Sequence, residues 1–242
     1  AHTAIEAVHR CREAGFQNIS IDLIYGLPGE NKERWENDLR QAISLNVEHI
    51  SAYHLIYEEG TTLWQLREQH KLEEADEDLS VSLFGTLIDS LTAAGYEHYE
   101  ISNFCLPGFH SRHNSSYWTE KKYLGCGPSA HSYNGTSRQW NVASLNEYIR
   151  GISNGNPTFE VEELDLYTRY NDFVITHIRT QWGMPLPKLR KQYGEELYKY
   201  CLRMATPHLQ QGTLEIKNDT LKLTRKGVFI SDGIMSDMLW VE

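Results

Sequence analysis

The first hundred residues alternate between two kinds of apolar pattern. Ile5, Val8 and Cys11 share one helical face behind a T-x-x-E capping box at Thr3 and Glu6, and Gly15 ends the run. Residues 18–25 (NISIDLIY) are β-branched and nearly continuous in apolar character, the pattern of a strand buried on both faces. Gly26-Leu27-Pro28-Gly29 breaks it. Residues 32–45 return to helical spacing through Trp35, Leu39, Ala42 and Ile43, and residues 49–57 (HISAYHLIY) read as a second buried strand. This order predicts parallel strands joined by right-handed crossovers. A parallel pair cannot cover both of its own faces, so the pattern predicts the later part of a larger α/β barrel or sheet.

Residues 74–94 carry Leu79, Leu83, Leu87 and Leu91 at four-residue intervals before Gly95, which predicts a long amphipathic helix with a glycine cap. Residues 96–102 (YEHYEIS) suit another strand. Residues 104–141 lose periodicity and become rich in Gly, Asn, His and aromatic side chains, a composition suited to a functional loop. Ser144 caps a short helix to about residue 152, and Asn154-Gly155-Asn156-Pro157 reads as a linker. Beyond it come helices at 164–179, 187–193 and 195–210, a hairpin over 213–223 turning at Asn218-Asp219, and a closing helix over 227–239. Three helices and a small wing resemble a winged-helix module.

Charge narrows what that module does. Asp and Glu total 33 against 23 Lys and Arg, a formal net charge of −10, which speaks against a general nucleic-acid surface and against attraction to anionic membranes. No stretch approaches the ~20 apolar residues of a bilayer span. Cys11, Cys105, Cys126 and Cys201 form no C-x-x-C or zinc-type pair, so they read as free thiols in a reducing cytoplasm.

Several residues are candidates for chemistry. Asp22 interrupts an apolar strand, either as a ligand contact at the carboxyl end of a parallel strand, where Gly26 and Gly29 admit close backbone approach, or as an internally hydrogen-bonded carboxylate. His113, Asn114, Tyr117 and Trp118 offer an imidazole, an amide and two aromatic faces in one short segment. Those groups suit a flat cofactor with haem iron on His113, or else a loop whose rings plug the core. A zinc triad of His110, His113 and His131 is disfavoured, because H-x-x-H is too tight for one-face ligation and encloses no Glu. Gly125-Cys126-Gly127-Pro128 lacks the Lys of a phosphate-binding loop and reads as a tight turn; Glu58-Glu59 reads as solvated loop.

Five segments in order, DLIYGLPGE from Asp22, YHLIYEEGTTL from Tyr53, YEISNF from Tyr99, RHNSSYW from Arg112 and YLGCGPSAHSY from Tyr123, are similar to the oxygen-independent coproporphyrinogen oxidase family of radical S-adenosylmethionine (SAM) proteins. Within it the chain most resembles the HemW-like haem-chaperone branch. The resemblance implies an α/β fold: the C-terminal part of a partial (β/α)6 barrel over 1–95, a loop-rich subdomain with the HNxxYW segment over 96–157, and a mainly helical, winged-helix-like domain over 158–242. It implies SAM contacts at Asp22 and Ile56, and haem contacts at His113, Asn114, Tyr117 and Trp118 with His113 on the iron. The family's [4Fe-4S] cluster sits on a C-x3-C-x2-C loop, which this sequence lacks, so the resemblance implies a fragment that cannot hold the cluster and is inactive alone. The expected function is haem binding by a radical SAM chaperone. The alternatives are oxidation of coproporphyrinogen III to protoporphyrinogen IX, or partner binding without catalysis. Expected partners are haem or a porphyrinogen and a haem-recipient protein, with no nucleic acid, and self-association through an exposed barrel edge is expected as well.

Overall fold

A computed structural model describes residues 2–241, in two compact units divided after Ser111. The first unit runs α1 (His2–Glu13), β1 (Ser20–Tyr25), α2 (Lys32–Ser44), β2 (His49–His54), α3 (Thr62–Glu68), α4 (Glu77–Ala93), β3 (Glu97–Glu100) and β4 (Asn103–Cys105). Its sheet has the order β1-β2-β4-β3, with β1 and β2 parallel as the alternation predicts. β4 pairs antiparallel with both β2 and β3. The single strand expected over 96–102 is therefore a hairpin, turned at Ile101 and Ser102 and bulged beside Tyr99.

Local chemistry explains most of the boundaries. Asn31 and Asp76 cap α2 and α4, accepting the amides of Arg34 and Leu79 at 3.0 and 2.7 Å. α1 begins at His2, so Thr3 lies inside the helix rather than at its cap. α3, capped by Thr61, has seven residues and none fully buried, which leaves it without a periodic signature.

Alternation along the paired strands gives the sheet two unlike faces. Ile21, Leu23 and Tyr25 of β1, Ile50, Ala52 and His54 of β2, and Phe104 of β4 share the face under α2 and α4. There Trp35, Leu39, Leu83, Leu87 and Leu91 are almost completely buried, and the Trp35 indole donates to the Leu83 carbonyl at 3.0 Å. The other face carries Ser20, Asp22 and Ile24 beside His49, Ser51 and Tyr53, in register, then Asn103 and Cys105. β1 is not buried on both faces as its composition suggests: Ser20 and Asp22 are exposed and Ile24 is 52% exposed. Among the described residues β1 pairs only with β2, so no further strand covers that end of the sheet. β2 also stops at His54, three residues short of the apolar run, and residues 55–60 form a loop.

The second unit comprises α5 (Arg112–Tyr117), β5 (His131–Tyr133), β6 (Ser137–Asn141), α6 (Leu145–Ser153), β7 (Phe159–Glu163), α7 (Leu166–Ile178), β8 (Met184–Pro185), α8 (Leu186–Gln211), β9 (Leu214–Lys217), β10 (Thr220–Leu223), α9 (Arg225–Val228) and α10 (Ser231–Met238). One antiparallel sheet has the order β5-β6-β7. β7 pairs with β6 along its full length, and the Asn156 amide donates to the Gly151 carbonyl at 2.9 Å, so residues 154–157 are a tight turn within this unit and not an interdomain linker. A second sheet, β8-β10-β9, forms the wing beside α7, α8 and α10. α8 is broken at Gly194 (φ 84°), where the sequence separates two helices, and Asn218 and Asp219 take φ of 51° and 56° as a two-residue hairpin turn requires. The closing helix is instead two, α9 and α10, separated at Phe229 and Ile230. Gly227 belongs at this corner, because a Cβ there would lie 1.9 Å from the Thr213 carbonyl oxygen.

Candidate functional site

Of the first unit's candidates, Ile56 lies in the loop after β2 and Asp22 lies on the polar sheet face. Its centre is a hydrogen-bonded chain: Ser20 Oγ lies 2.8 Å from His49 Nδ1, and His49 Nε2 lies 2.7 Å from the Tyr99 hydroxyl. Burial lowers the pKa of His49 and the neighbouring His110 adds to this, against the opposing charge of Asp22, so the ring is neutral near pH 7. A neutral ring donates from one nitrogen and accepts at the other, which fixes the direction of the chain from Ser20 to Tyr99 or the reverse.

Asp22 stands one alternation above Ser20 on this face and pairs in register with Ser51. Its carboxylate is exposed, where the sequence suggests a buried group in need of a partner; the uncovered face of β1 is the reason. Just beyond the strand, the Gly26 and Leu27 amides donate to Glu30 Oε2 at 2.6 and 3.2 Å. The turn therefore uses its own carboxylate. Gly26 is required there, since its φ is +77° and a Cβ would lie 2.6 Å from His54 Nε2. Ile56 sits in the loop after β2 and is 74% exposed, an apolar side chain in open solvent beyond the carboxyl end of the strand.

The remaining candidates lie together in the second unit, on α5 and just after it. His113 is exposed, and its Nε2 lies 3.2 Å from the Tyr117 hydroxyl, one helical turn on. Tyr117 packs edge-on to Tyr123 with ring centroids 5.0 Å apart, and Tyr123 continues to Tyr133 at 6.0 Å across an antiparallel bridge. The sequence pattern by itself marks no role for Tyr123 and Tyr133. Their signal was a pair of tyrosines spaced to face each other across a turn, but the pairing itself is long-range. Asn114 is half-buried. Trp118 lies beneath the Arg179 guanidinium, 4.4 Å from its ring centroid, while its indole nitrogen and the Ser115 hydroxyl are buried without a hydrogen-bond partner.

Other motifs resolve as structural. Gly125 donates its amide to Ser132 Oγ and Gly127 to the Tyr148 hydroxyl, each at 3.0 Å, so both glycine amides of the Gly125–Pro128 turn are engaged within the protein, as in a tight turn. His131 stacks on Trp140 at 5.9 Å, and His110 pairs with Glu97, so the three histidines have separate partners. Cys105 and Cys201 are buried, Cys126 is exposed and Cys11 is intermediate; no three cysteines converge, and the described residues do not fit an iron–sulfur cluster. No helix among them is long and apolar enough to cross a membrane.

Residues 164–230 match the HemN C-terminal domain family. The chain is 33% identical over 226 residues to a protein of Mycobacterium tuberculosis named heme chaperone HemW, covering 93% of this chain and 56% of that one. A Bacillus subtilis heme chaperone HemW is 29% identical over 231 residues, 95% of this chain and 61% of the relative. The chain thus spans little more than half the length of these curated relatives. Among solved structures, coproporphyrinogen III oxidase (HemN) from Escherichia coli, a radical SAM enzyme, matches 97% of this chain and 58% of its own with a TM-score of 0.76 at 19% identity. That likeness establishes the fold, α/β in the manner of part of a radical SAM enzyme.

Proposed function

We propose that this chain, a relative of the HemW and HemN proteins carrying a HemN C-terminal domain, is the haem-binding portion of a radical SAM haem chaperone. The observation that carries the proposal is the α5 segment. His113 presents an exposed imidazole whose Nε2 is engaged by a single weak contact, the 3.2 Å approach of the Tyr117 hydroxyl. The rings of Tyr117, Tyr123 and Tyr133 adjoin it, and Trp118 Nε1 and Ser115 Oγ are polar atoms left unsatisfied in the same segment. An axial nitrogen and an aromatic surface for a macrocycle are what haem requires. Trp118 is already held by Arg179, so it supports the segment more than it faces a ligand.

On the same reading Asp22 receives the ribose hydroxyls of SAM, which a carboxylate on an open sheet face is suited to accept, and Ile56 covers part of that ligand with its exposed side chain. SAM with a reduced cluster supplies radical chemistry when both are bound. The thiols of this chain do not converge, so the cluster ligands belong, on this proposal, to residues outside these 242.

The test is a haem titration of the chain and of His113→Ala, followed through the Soret band. Saturable binding that the substitution abolishes is the expected result. Indistinguishable spectra would refute axial ligation by His113. With the complete cluster-loaded protein, conversion of coproporphyrinogen III to protoporphyrinogen IX would replace the chaperone reading with the oxidase one.

A further inference from the structure

We propose that Glu97, Cys105 and His110 form a binding site for one divalent metal ion of the zinc class, at the amino ends of β1 and β2. The proposal stands apart from the haem reading and uses none of its residues. Glu97 and Cys105 are register partners on β3 and β4, so their side chains share one sheet face, and Cys105 is in turn the register partner of His49 at the first position of β2. The chain then turns back through a hydrogen bond from the Phe109 amide to the Leu106 carbonyl at 3.0 Å, and this return brings His110 over the same place.

The ligand atoms of the three residues all lie within 4.8 Å of one another. Tetrahedral zinc with bonds of about 2.0–2.3 Å sets its ligand atoms roughly 3.3–3.8 Å apart, so small rotamer adjustments close the triangle. His110 Nε2 and Glu97 Oε2 are already 2.9 Å apart, and the ion would replace the proton between them. The His110 ring is held edge-on to Tyr99 at 5.0 Å, and Tyr99 is in turn hydrogen-bonded to His49, contacts that restrict how the His110 ring can turn.

The chemistry of the donors selects the ion. One thiolate, one imidazole and one carboxylate form a mixed set suited to zinc rather than to magnesium or calcium, which prefer oxygen alone. Cys105 is fully buried while the Glu97 and His110 side chains are 38% and 28% exposed, so the open fourth position faces water. Burial raises the Cys105 thiol to about 12 and the Glu97 charge adds to this, more than the Phe109 amide offsets. A cation supplies the counter-charge this thiol lacks. Binding displaces the thiol proton, as ligation by a thiolate requires. The bound ion would fasten the last residues of the first unit, immediately before α5, to their own sheet.

Cobalt(II) is the spectroscopic probe. The reduced, metal-free chain, titrated anaerobically, should bind one equivalent with a thiolate-to-cobalt charge-transfer band that zinc(II) removes. Cys105→Ser should abolish the band, and Glu97→Gln and His110→Ala, at partly exposed positions, should each weaken binding at least tenfold, about 1.4 kcal/mol or more. His113→Ala should leave the titration unchanged. Absence of the band in the wild-type chain overturns the proposal, and so does a band that survives Cys105→Ser. Should Cys105→Ser fail to fold by circular dichroism, wild-type affinity in His110→Ala overturns it equally.

Discussion

His177 should make the C-terminal domain sensitive to acid, and by an amount that the structure sets. The imidazole is 8% exposed on α7, stacked 3.9 Å from the Phe173 ring. Its Nδ1 lies 2.9 Å from the Phe173 carbonyl and its Nε2 lies 3.4 Å from Lys188 Nζ, so the neutral ring donates at one nitrogen and accepts at the other. Burial, reinforced by the Lys188 charge, lowers its pKa from 6.5 to about 4. As pH falls below 6.5 the unfolded chain gains a proton that the folded one resists, and stability is lost until pH 4 is passed. From the two proton occupancies the loss is about 2 kcal/mol at pH 5 and about 3 kcal/mol once the folded ring also titrates. Urea unfolding followed by circular dichroism at about pH 7.5 and pH 5, for the wild type and His177→Gln, isolates this group from the other titrating side chains. The difference between the two pH values should shrink by about 2 kcal/mol in the variant. An unchanged difference, or an NMR titration placing His177 near the ordinary histidine value, would refute the reasoning.

Three further outcomes are expected. Tyr117→Phe removes the hydroxyl that competes for His113 Nε2 and should tighten haem binding roughly two- to tenfold, the worth of one net hydrogen bond; weaker binding would mean that the hydroxyl positions the ring instead. Gly227→Ala drives a Cβ against the Thr213 carbonyl and should cost at least about 2 kcal/mol, and an unchanged melting temperature would contradict the close approach. The isolated chain should associate with rising concentration through the uncovered edge of β1, where Ile24 is half-exposed, and Ile24→Lys should suppress this in sedimentation; a monodisperse wild-type monomer would count against it.

Much of the local architecture was legible because short-range chemistry decides it. The break at Gly194 follows from the positive φ that only glycine adopts freely, and the hairpin at Asn218-Asp219 from the tolerance of Asn and Asp for left-handed backbone. The parallel pairing of β1 and β2 follows from the helix placed between them. Pattern and structure part where an apolar run has no local terminator: HISAYHLIY continues as pattern past His54, while the strand ends when its partner does. They part again at residues 96–105, where a hairpin without a glycine turn has the pattern of one strand followed by loop.

The candidate site divides along the same line. The HNxxYW segment is contiguous, so its sequence alone brings His113 within reach of Tyr117 one helical turn away, and the missing cysteine triplet excludes a family-type cluster whatever the fold. What the sequence does not encode locally is which face of the sheet is left open and what meets there. Asp22 is exposed because its face of β1 is uncovered, Tyr123 meets Tyr133 because an isolated antiparallel bridge joins them, and Glu97, Cys105 and His110 converge because an antiparallel register and a return turn place three separate residues together. Propensity and spacing act over a few residues and fix helices, turns and contiguous motifs; strand register is settled by contacts between distant segments, and only the tertiary structure decides it.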